Sequence, residues 1–266
     1  MVNLLAAAAL AAATPGAAAE PPAEPAMFVV HDRDTTIFLF GTFHALDGDH
    51  RWFGRGVRTA FEQSNELVLE TLLPEGPDAP AQTSAAITPP SVTPSASFLA
   101  TTRMAISAGR SQGMQVDNGA DMVLRHTAEA EGKPVEGLET LQFQLDMFNR
   151  MPATPAPSPA AAPRPGDPVA DSGMQGLSQT MAQMQSAWKR GDQSVFVNLL
   201  NQLRAGSPDT YRMMFSERNA RWADWIAARM QTPGVVFVAV GAGHLAGKDS
   251  VLVRLAEKGI ESERVY

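Results

Sequence analysis

The amino-acid sequence predicts an α/β or α+β fold, with helices packed around a central mixed sheet. Two observations support this prediction. Apolar runs typical of buried strands occur near both ends of the chain, and amphipathic helical patterns separate them. Helices that occur between strands in this way usually form layers against a sheet. The length of 266 residues suits one domain or somewhat more.

The N-terminal part predicts a hairpin, a helix and a further strand. The segments 27–30 and 36–40 are apolar and flank a polar turn, which is the pattern of two paired strands. Apolar residues at helical spacing follow Trp52 and predict an amphipathic helix. The segment 66–72 then predicts a strand.

The later elements are predicted from helical periodicity, a glycine stop and one strongly apolar run. Trp222, Ile226 and Met230 share a helical face and are expected in the core. The predicted helices span 97–111, 119–131, 141–148, 174–190, 194–204, 209–230 and 250–258, and the predicted strands span 135–138, 235–240 and 262–265.

Two stretches are rich in proline. Thirteen of the 20 prolines lie in 74–94 and 152–168, mostly among Ala, Ser and Thr. Such sequence buries too little apolar surface to offset the entropy lost when it is ordered. Both stretches are therefore predicted to be excursions from a single domain that spans residues 20–266.

The N-terminus is typical of an export signal. Leu4 to Ala13 is an uncharged apolar run, and Ala17-Ala18-Ala19 has the small residues of a cleavage site. We therefore expect residues 1–19 to be a signal peptide and the mature protein to be periplasmic or secreted. No other apolar run approaches the roughly 20 residues of a membrane helix, so no stable span is expected in the mature chain.

The composition excludes several classes of function. Lys and Arg number 21 against 28 Asp and Glu, and the net charge of −7 argues against binding to nucleic acid. The chain has no cysteine, which excludes thiolate metal sites and a cysteine nucleophile. Any metal ion must therefore be held by His, Asp or Glu.

Two histidines follow strands in the same local pattern. Gly41-Thr42-Phe43-His44 and Gly241-Ala242-Gly243-His244 each come after an apolar strand. Glycine permits a sharp turn and a close approach, and ligands bind at the carboxyl ends of strands in open α/β sheets. One histidine after a strand is more often structural, but the repetition favours a shared site.

A glutamate and an arginine complete the candidate site. Glu70 interrupts the apolar strand 66–72, and burial of an unpaired carboxylate would be costly, so a cation or an arginine partner is expected. The alternative is an edge strand whose Glu66 and Glu70 face solvent. Arg218 lies one turn before Trp222 on the same helical face and is expected to reach the pocket.

Six short motifs follow one another along the chain. They are Gly41-Thr42-Phe43-His44, Leu67-Val68-Leu69-Glu70, Gly137-Leu138-Glu139-Thr140, Trp188-Lys189-Arg190-Gly191-Asp192, Arg218-Asn219 and Gly241-Ala242-Gly243-His244. Their order resembles that of the TraB/GumN family, over about Pro25 to Val265. That family is related to the Tiki proteases and, more remotely, to the erythromycin esterases. The resemblance implies an α/β fold, a site made by the two G-x-x-H histidines and the strand glutamate and, in the Tiki branch, metal-dependent protease activity.

Three functions are consistent with the sequence. The preferred one is an exported metal-dependent hydrolase, with a peptidase favoured, in which His44, Glu70 and His244 hold Mn²⁺, Co²⁺ or Zn²⁺. Arg218 would then stabilise the oxyanion, and Asn219 would orient a peptide or small-molecule substrate. The alternatives are a metal-free esterase with a histidine base and a catalytically silent protein that binds or sequesters a peptide.

Overall fold

A computed structural model describes residues 23–72, 104, 107–151 and 168–266, with the backbone alone for 168–174. The predicted signal peptide, the proline-rich segments 74–94 and 152–167, and most of the predicted helix 97–111 lie outside these residues.

A six-stranded mixed sheet forms the centre of the described fold, in the order β4-β3-β5-β2-β1-β6. Four neighbouring strands, β4, β3, β5 and β2, run parallel, whereas β1 is antiparallel to β2 and to β6. The predicted mixed α/β sheet is therefore confirmed. The strands are β1 Met27–His31, β2 Thr35–Thr42, β3 Glu66–Thr71, β4 Val135–Glu139, β5 Gly234–Gly241 and β6 Glu263–Arg264.

Helices cover both faces of the sheet. Short 3₁₀ turns at 50–53, 116–118 and 242–245 and a π-helical segment at 212–216 join some of them. No helix of the described residues is long and apolar enough to cross a membrane. The helices are α1 Arg55–Gln63, α2 Ala120–Ala130, α3 Leu141–Arg150, α4 Pro168–Lys189, α5 Ser194–Gly206, α6 Pro208–Tyr211, α7 Glu217–Arg229 and α8 Val251–Ala256.

The core has two layers because alternate side chains of a strand point to opposite faces. In β5, Phe237 and Ala239 pack against α1, α2, α4 and α5, whereas Val236 and Val238 pack against α7 and α8. Burial on both faces explains why β5 is a continuous apolar run rather than an alternating one. Trp222 lies in the second layer, as its helical spacing predicts.

The predicted helix 209–230 is interrupted in the structure. It consists of α6, five π-helical residues and α7, although the backbone remains helical throughout. Apolar periodicity does not reveal this change, because none of the five π-helical residues is buried. Single π turns of this kind are often found at functional sites, and α7 begins one residue before Arg218.

Candidate functional site

The four parallel strands bring four site residues to one edge of the sheet. His44 follows β2, Glu70 lies near the end of β3, Glu139 ends β4, and His244 follows β5. The register sets this placement, since Thr42 pairs with Gly241 and Thr71 pairs with Glu139. The structure thus brings the predicted residues His44, Glu70 and His244 together at the carboxyl edge.

Gly241 is the point on which these side chains converge. A Cβ at this position would lie 3.0 Å from Oε1 of Glu70, 3.2 Å from Nε2 of His44 and 3.7 Å from Cδ2 of His244. The Gly241 N–H donates a 2.6 Å hydrogen bond to Oε1 of Glu70. Gly241 is the first residue of the second G-x-x-H motif, and its lack of a side chain lets Glu70 and His44 approach the backbone closely.

His244 is buried and held in one tautomer. The Asn219 amide donates to the carbonyl oxygen of Asp249 at 2.7 Å, so its Oδ1 faces His244 and accepts from Nδ1 at 2.6 Å. Nδ1 therefore carries the proton, and Nε2 accepts from Nη1 of Arg218 at 3.2 Å. The rings of Phe215 and Trp222 pack against the imidazole, with centroids 4.8 and 4.4 Å away.

Arg218 lies at the centre of this buried network. Its Nη2 lies 3.0 Å from Glu70 and 2.9 Å from Glu139, and its Nε donates to Glu139. Nη1 donates to the carbonyl oxygen of Met214 as well as to His244. Each guanidinium nitrogen thus has an acceptor, and the side chain is only 4% exposed. This arrangement makes Arg218 a positioning group for Glu70 and His244.

The network holds Glu70 ionised and His244 neutral. Burial alone would raise the pKa of Glu70, but the Arg218 guanidinium, a protonated His44 and the Gly241 N–H lower it below its ordinary value. Burial lowers the pKa of His244 to about 3, although the nearby Glu70 opposes this change. At neutral pH the buried carboxylate therefore pairs with Arg218, while the His244 imidazole is uncharged.

His44 has the opposite environment. Its side chain is 58% exposed, and its Nδ1 lies 3.2 Å from Oδ1 of Asp121. The Asp121 carboxylate raises the pKa of His44 to about 9, against the effect of desolvation. A histidine oriented by a carboxylate, with its other nitrogen directed into the site, is an arrangement suited to proton transfer.

The start of α2 places Asp121 beside His44. The Ala120 N–H donates to the carbonyl oxygen of Phe43 at 3.0 Å, which ties the helix to the G-x-x-H turn. A Cβ at Gly119 would lie only 2.6 Å from the carbonyl oxygen of His44, so this contact requires glycine. Two segments about 75 residues apart in sequence are thereby joined at the site.

A cavity of about 770 Å³ opens beside these residues. Its size falls within the range of small-molecule sites. His44, Glu70, Asp121, Arg218 and His244 line it together with many apolar side chains. The site therefore combines ionisable groups on the sheet edge with a largely apolar chamber.

The predicted metal ligands do not form a metal site in this arrangement. Nε2 of His44 and Oε1 of Glu70 both approach Gly241, but Nε2 of His244 and Oε2 of Glu70 are hydrogen-bonded to Arg218. Within the described residues, no group of three His, Asp or Glu side chains has the spacing of a metal site. A metal ion bound by all three would require Arg218 to move away.

Asn219 lies behind His244 rather than in the cavity. Its side chain is buried, and its amide nitrogen and oxygen are both occupied by Asp249 and His244. These contacts suit the orientation of His244. That Asn219 orients a substrate stays a prediction.

Sequence reasoning missed two residues of this site. Asp121 has the character of an ordinary first-turn acid of a helix, and nothing local indicates that α2 starts against His44. Glu139 belongs to the motif Gly137-Leu138-Glu139-Thr140 and follows the predicted strand 135–138. Its position at the end of a strand, like those of Glu70 and His244, is the signal that could have assigned it to the site. Glu139 also accepts from Trp222 and Arg221, which explains how a carboxylate at this depth is satisfied.

The fold and the site define an α/β protein with a buried Glu–Arg–His network and an exposed His–Asp pair at the carboxyl edge of a mixed sheet. The chain belongs to the TraB/PrgY/gumN family, whose model matches residues 26–99 and 91–264. Comparison with curated proteins and with solved structures gave no significant match. The TraB/GumN resemblance is therefore confirmed, and the relation to Tiki proteases and erythromycin esterases stays a prediction.

Proposed function

We propose that the protein is a hydrolase of acyl compounds, an ester or an amide, in which His44 is the general base. The observation that carries the proposal is the pair formed by His44 and Asp121, which both line the cavity. Of the two G-x-x-H histidines, only His44 combines exposure to the cavity with a carboxylate partner. His244 is buried, neutral and already bonded at both nitrogens.

The proposed reaction is the attack of water on an acyl carbonyl. Nε2 of neutral His44 accepts a proton from the water while its oxygen bonds to the carbonyl carbon, and Asp121 stabilises the imidazolium that forms. When the tetrahedral intermediate collapses, the bond from carbon to the leaving oxygen or nitrogen breaks. The imidazolium returns its proton to that leaving group, so that an acid and an alcohol or amine are released.

The buried network supports this chemistry by fixing the shape of the site. Arg218 holds Glu70 and His244, and Glu70 in turn fixes the Gly241 backbone beside His44. Groups held by such surrounding hydrogen bonds do not need to reorganise during the reaction. In this proposal Glu70, Arg218 and His244 are positioning residues, and His44 is the catalytic one.

The pH dependence of hydrolysis tests the role of His44. Because His44 must be neutral to accept a proton, kcat/KM for p-nitrophenyl acetate should rise with pH up to about 9, the pKa of its imidazole. Asp121→Asn removes the main cause of that raised pKa, so the rise should move to lower pH and the maximal rate should fall. If kcat/KM of the variant rises over the same pH range as that of the wild type, the His44–Asp121 assignment is wrong.

A metal-dependent peptidase that uses Mn²⁺, Co²⁺ or Zn²⁺ is the second candidate. It is favoured by the approach of both Nε2 of His44 and Oε1 of Glu70 to Gly241, although it requires Arg218 to withdraw. Hydrolysis of a peptide library should be measured after chelation, with verified metal content, and after each ion is added back. Activity that depends on an added ion would replace the metal-free proposal.

The proposal includes export. It rests on the apolar run at Leu4 to Ala13 and the three alanines that end at Ala19. N-terminal sequencing of the protein recovered from a periplasmic or culture fraction should begin at Glu20. Recovery of a chain that starts at Met1 from the cytoplasm alone would overturn it.

A further inference from the structure

The cavity has two walls of different chemistry. The polar lining residues, which include His44, Asp121, Gln144 and Arg218, come from the sheet edge, α2, α3 and α7. The other wall is formed by α4, α5 and the π-helical segment, and every lining residue that these elements contribute is apolar. They are Met181, Met184, Phe196, Leu199, Leu200, Leu203, Met214 and Phe215.

Two threonine hydroxyls of the polar wall have no hydrogen-bond partner in the part of the chain that the structure describes. Thr42 and Thr71 both line the cavity, and their Oγ1 atoms are buried and have no hydrogen bond to any described residue. Thr42 pairs with Gly241, and Thr71 lies two residues beyond Leu69, which pairs with Ala239. The hydroxyls therefore flank Gly241 on the same face of the sheet. Buried polar groups of this kind commonly bind a ligand or a water molecule.

We infer that the substrate carries a long hydrocarbon acyl chain, with its carbonyl group near Thr42 and Thr71 and its chain along α4 and α5. The inference rests on the proposed hydrolase function and adds the substrate class. The carbonyl group would then lie on the part of the lining that also carries the His44 base. The apolar wall removes the chain from water.

A peptide fits the apolar wall less well than a hydrocarbon chain does. An extended peptide has an N–H and a C=O in each residue, and each one needs a hydrogen-bond partner when it is buried. The backbone groups of α4 and α5 are used within the helices, and the eight wall side chains offer no donor or strong acceptor. A hydrocarbon chain has no such groups to satisfy.

A series of p-nitrophenyl esters tests this assignment, with acetate, butyrate, octanoate and dodecanoate as the acyl groups. We expect kcat/KM to increase with chain length by up to about fourfold per methylene, the equivalent of about 0.8 kcal/mol, until the cavity is filled. Binding of sodium dodecanoate and of acetate, measured by calorimetry, provides a readout that does not depend on turnover. Dodecanoate should bind and acetate should not.

Variants of the apolar wall locate the chain. Leu203→Trp should shorten the preferred acyl chain, so that kcat/KM falls more for the dodecanoate ester than for the acetate ester, and it should weaken dodecanoate binding. If Leu203→Trp fails to fold, Met184→Gln is a smaller perturbation of the same wall. It should reduce the increase in kcat/KM per added methylene. Leu145→Trp is the matched control, because Leu145 is 45% exposed and does not line the cavity.

The outcomes separate this inference from the proposed function. Hydrolysis of the acetate ester with no gain for longer chains would overturn the acyl-chain assignment and leave the hydrolase proposal intact. Dodecanoate binding that Leu203→Trp weakens, without hydrolysis of any ester, would support the assignment and overturn the proposed function. If the protein neither binds dodecanoate nor hydrolyses any ester, both the acyl-chain assignment and the proposed function are wrong. Cleavage of peptides alone, dependent on an added metal ion, would also overturn both.

Discussion

The two G-x-x-H turns differ in almost everything except their sequence pattern. Both follow parallel strands that are neighbours in the sheet, and both histidines approach Gly241. His44 is exposed, paired with Asp121, and has a pKa raised to about 9. His244 is buried among aromatic rings, bonded to Asn219 and Arg218, and has a pKa lowered to about 3.

This difference shows that a motif can place a histidine without determining its protonation. The pKa depends on the Asp121 carboxylate of α2 for His44 and on burial, to which Trp222 of α7 contributes, for His244. Both helices are distant from the motifs in sequence. An exposed imidazole beside a carboxylate can exchange protons with a substrate, whereas a buried neutral imidazole serves better as a fixed acceptor. The following four predictions test this division of roles.

The largest expected effect is on turnover. His44→Ala should reduce kcat/KM for ester hydrolysis by about 100- to 10,000-fold, because a general base contributes about that much. Its melting temperature should change little, since the side chain is exposed. His126→Ala, at an exposed position of α2, is the control and should keep full activity. A His44→Ala enzyme with a rate close to that of the wild type would remove His44 from the mechanism.

Replacement of Arg218 should have the largest effect on stability. Arg218→Met leaves Glu70 without its guanidinium partner and should lower the free energy of unfolding by about 3–5 kcal/mol in denaturant titrations. The change also frees Nε2 of His244 and Oε2 of Glu70, so Zn²⁺ should raise the melting temperature of the variant more than that of the wild type. An equal effect of Zn²⁺ on both proteins would show that Arg218 does not compete with a metal ion.

Loss of the Asn219 side chain should have an intermediate effect. Asn219→Ala leaves the Nδ1–H of His244 buried without an acceptor, which should cost about 1–3 kcal/mol of unfolding free energy. Asn201→Ala, on the exposed side of α5, is the matched control and should change stability by less than about 0.5 kcal/mol. If the two variants are equally stable, the proposed fixation of His244 by Asn219 is wrong.

The smallest expected effect is the pH dependence of stability that arises from His44. Its folded pKa of about 9 lies above its ordinary 6.5, so pairing with Asp121 stabilises the fold below pH 6.5, and this contribution is lost as pH rises to about 9. The pair is exposed, which limits the effect to about 1 kcal/mol or less. Asp121→Asn should flatten the fall in unfolding free energy between pH 6.5 and 9. If the unfolding free energy of the variant falls as steeply as that of the wild type, groups other than His44 cause the pH dependence.

Much of the fold was predictable because it depends on local patterns. The hairpin of β1 and β2, the apolar strand β5 and the buried face of α7 that contains Trp222 follow from the period of their apolar residues. The π-helical segment 212–216 was not predictable from apolar periodicity, since none of its five residues is buried. The strand order was also not predictable from any local pattern, although it decides which side chains meet.

The sequence by itself determined that two histidines follow strands and that a charged Glu70 stands in an apolar one. Those features depend on neighbours along the chain, which set turns and strand periods. Only the tertiary structure decided that Arg218 bonds both Glu70 and His244, that Asp121 lies beside His44, and that the hydroxyls of Thr42 and Thr71 have no hydrogen-bond partner among the described residues. Burial and charge pairing depend on distances between residues far apart in sequence, and these distances are set by the packing of α2 and α7 on the sheet.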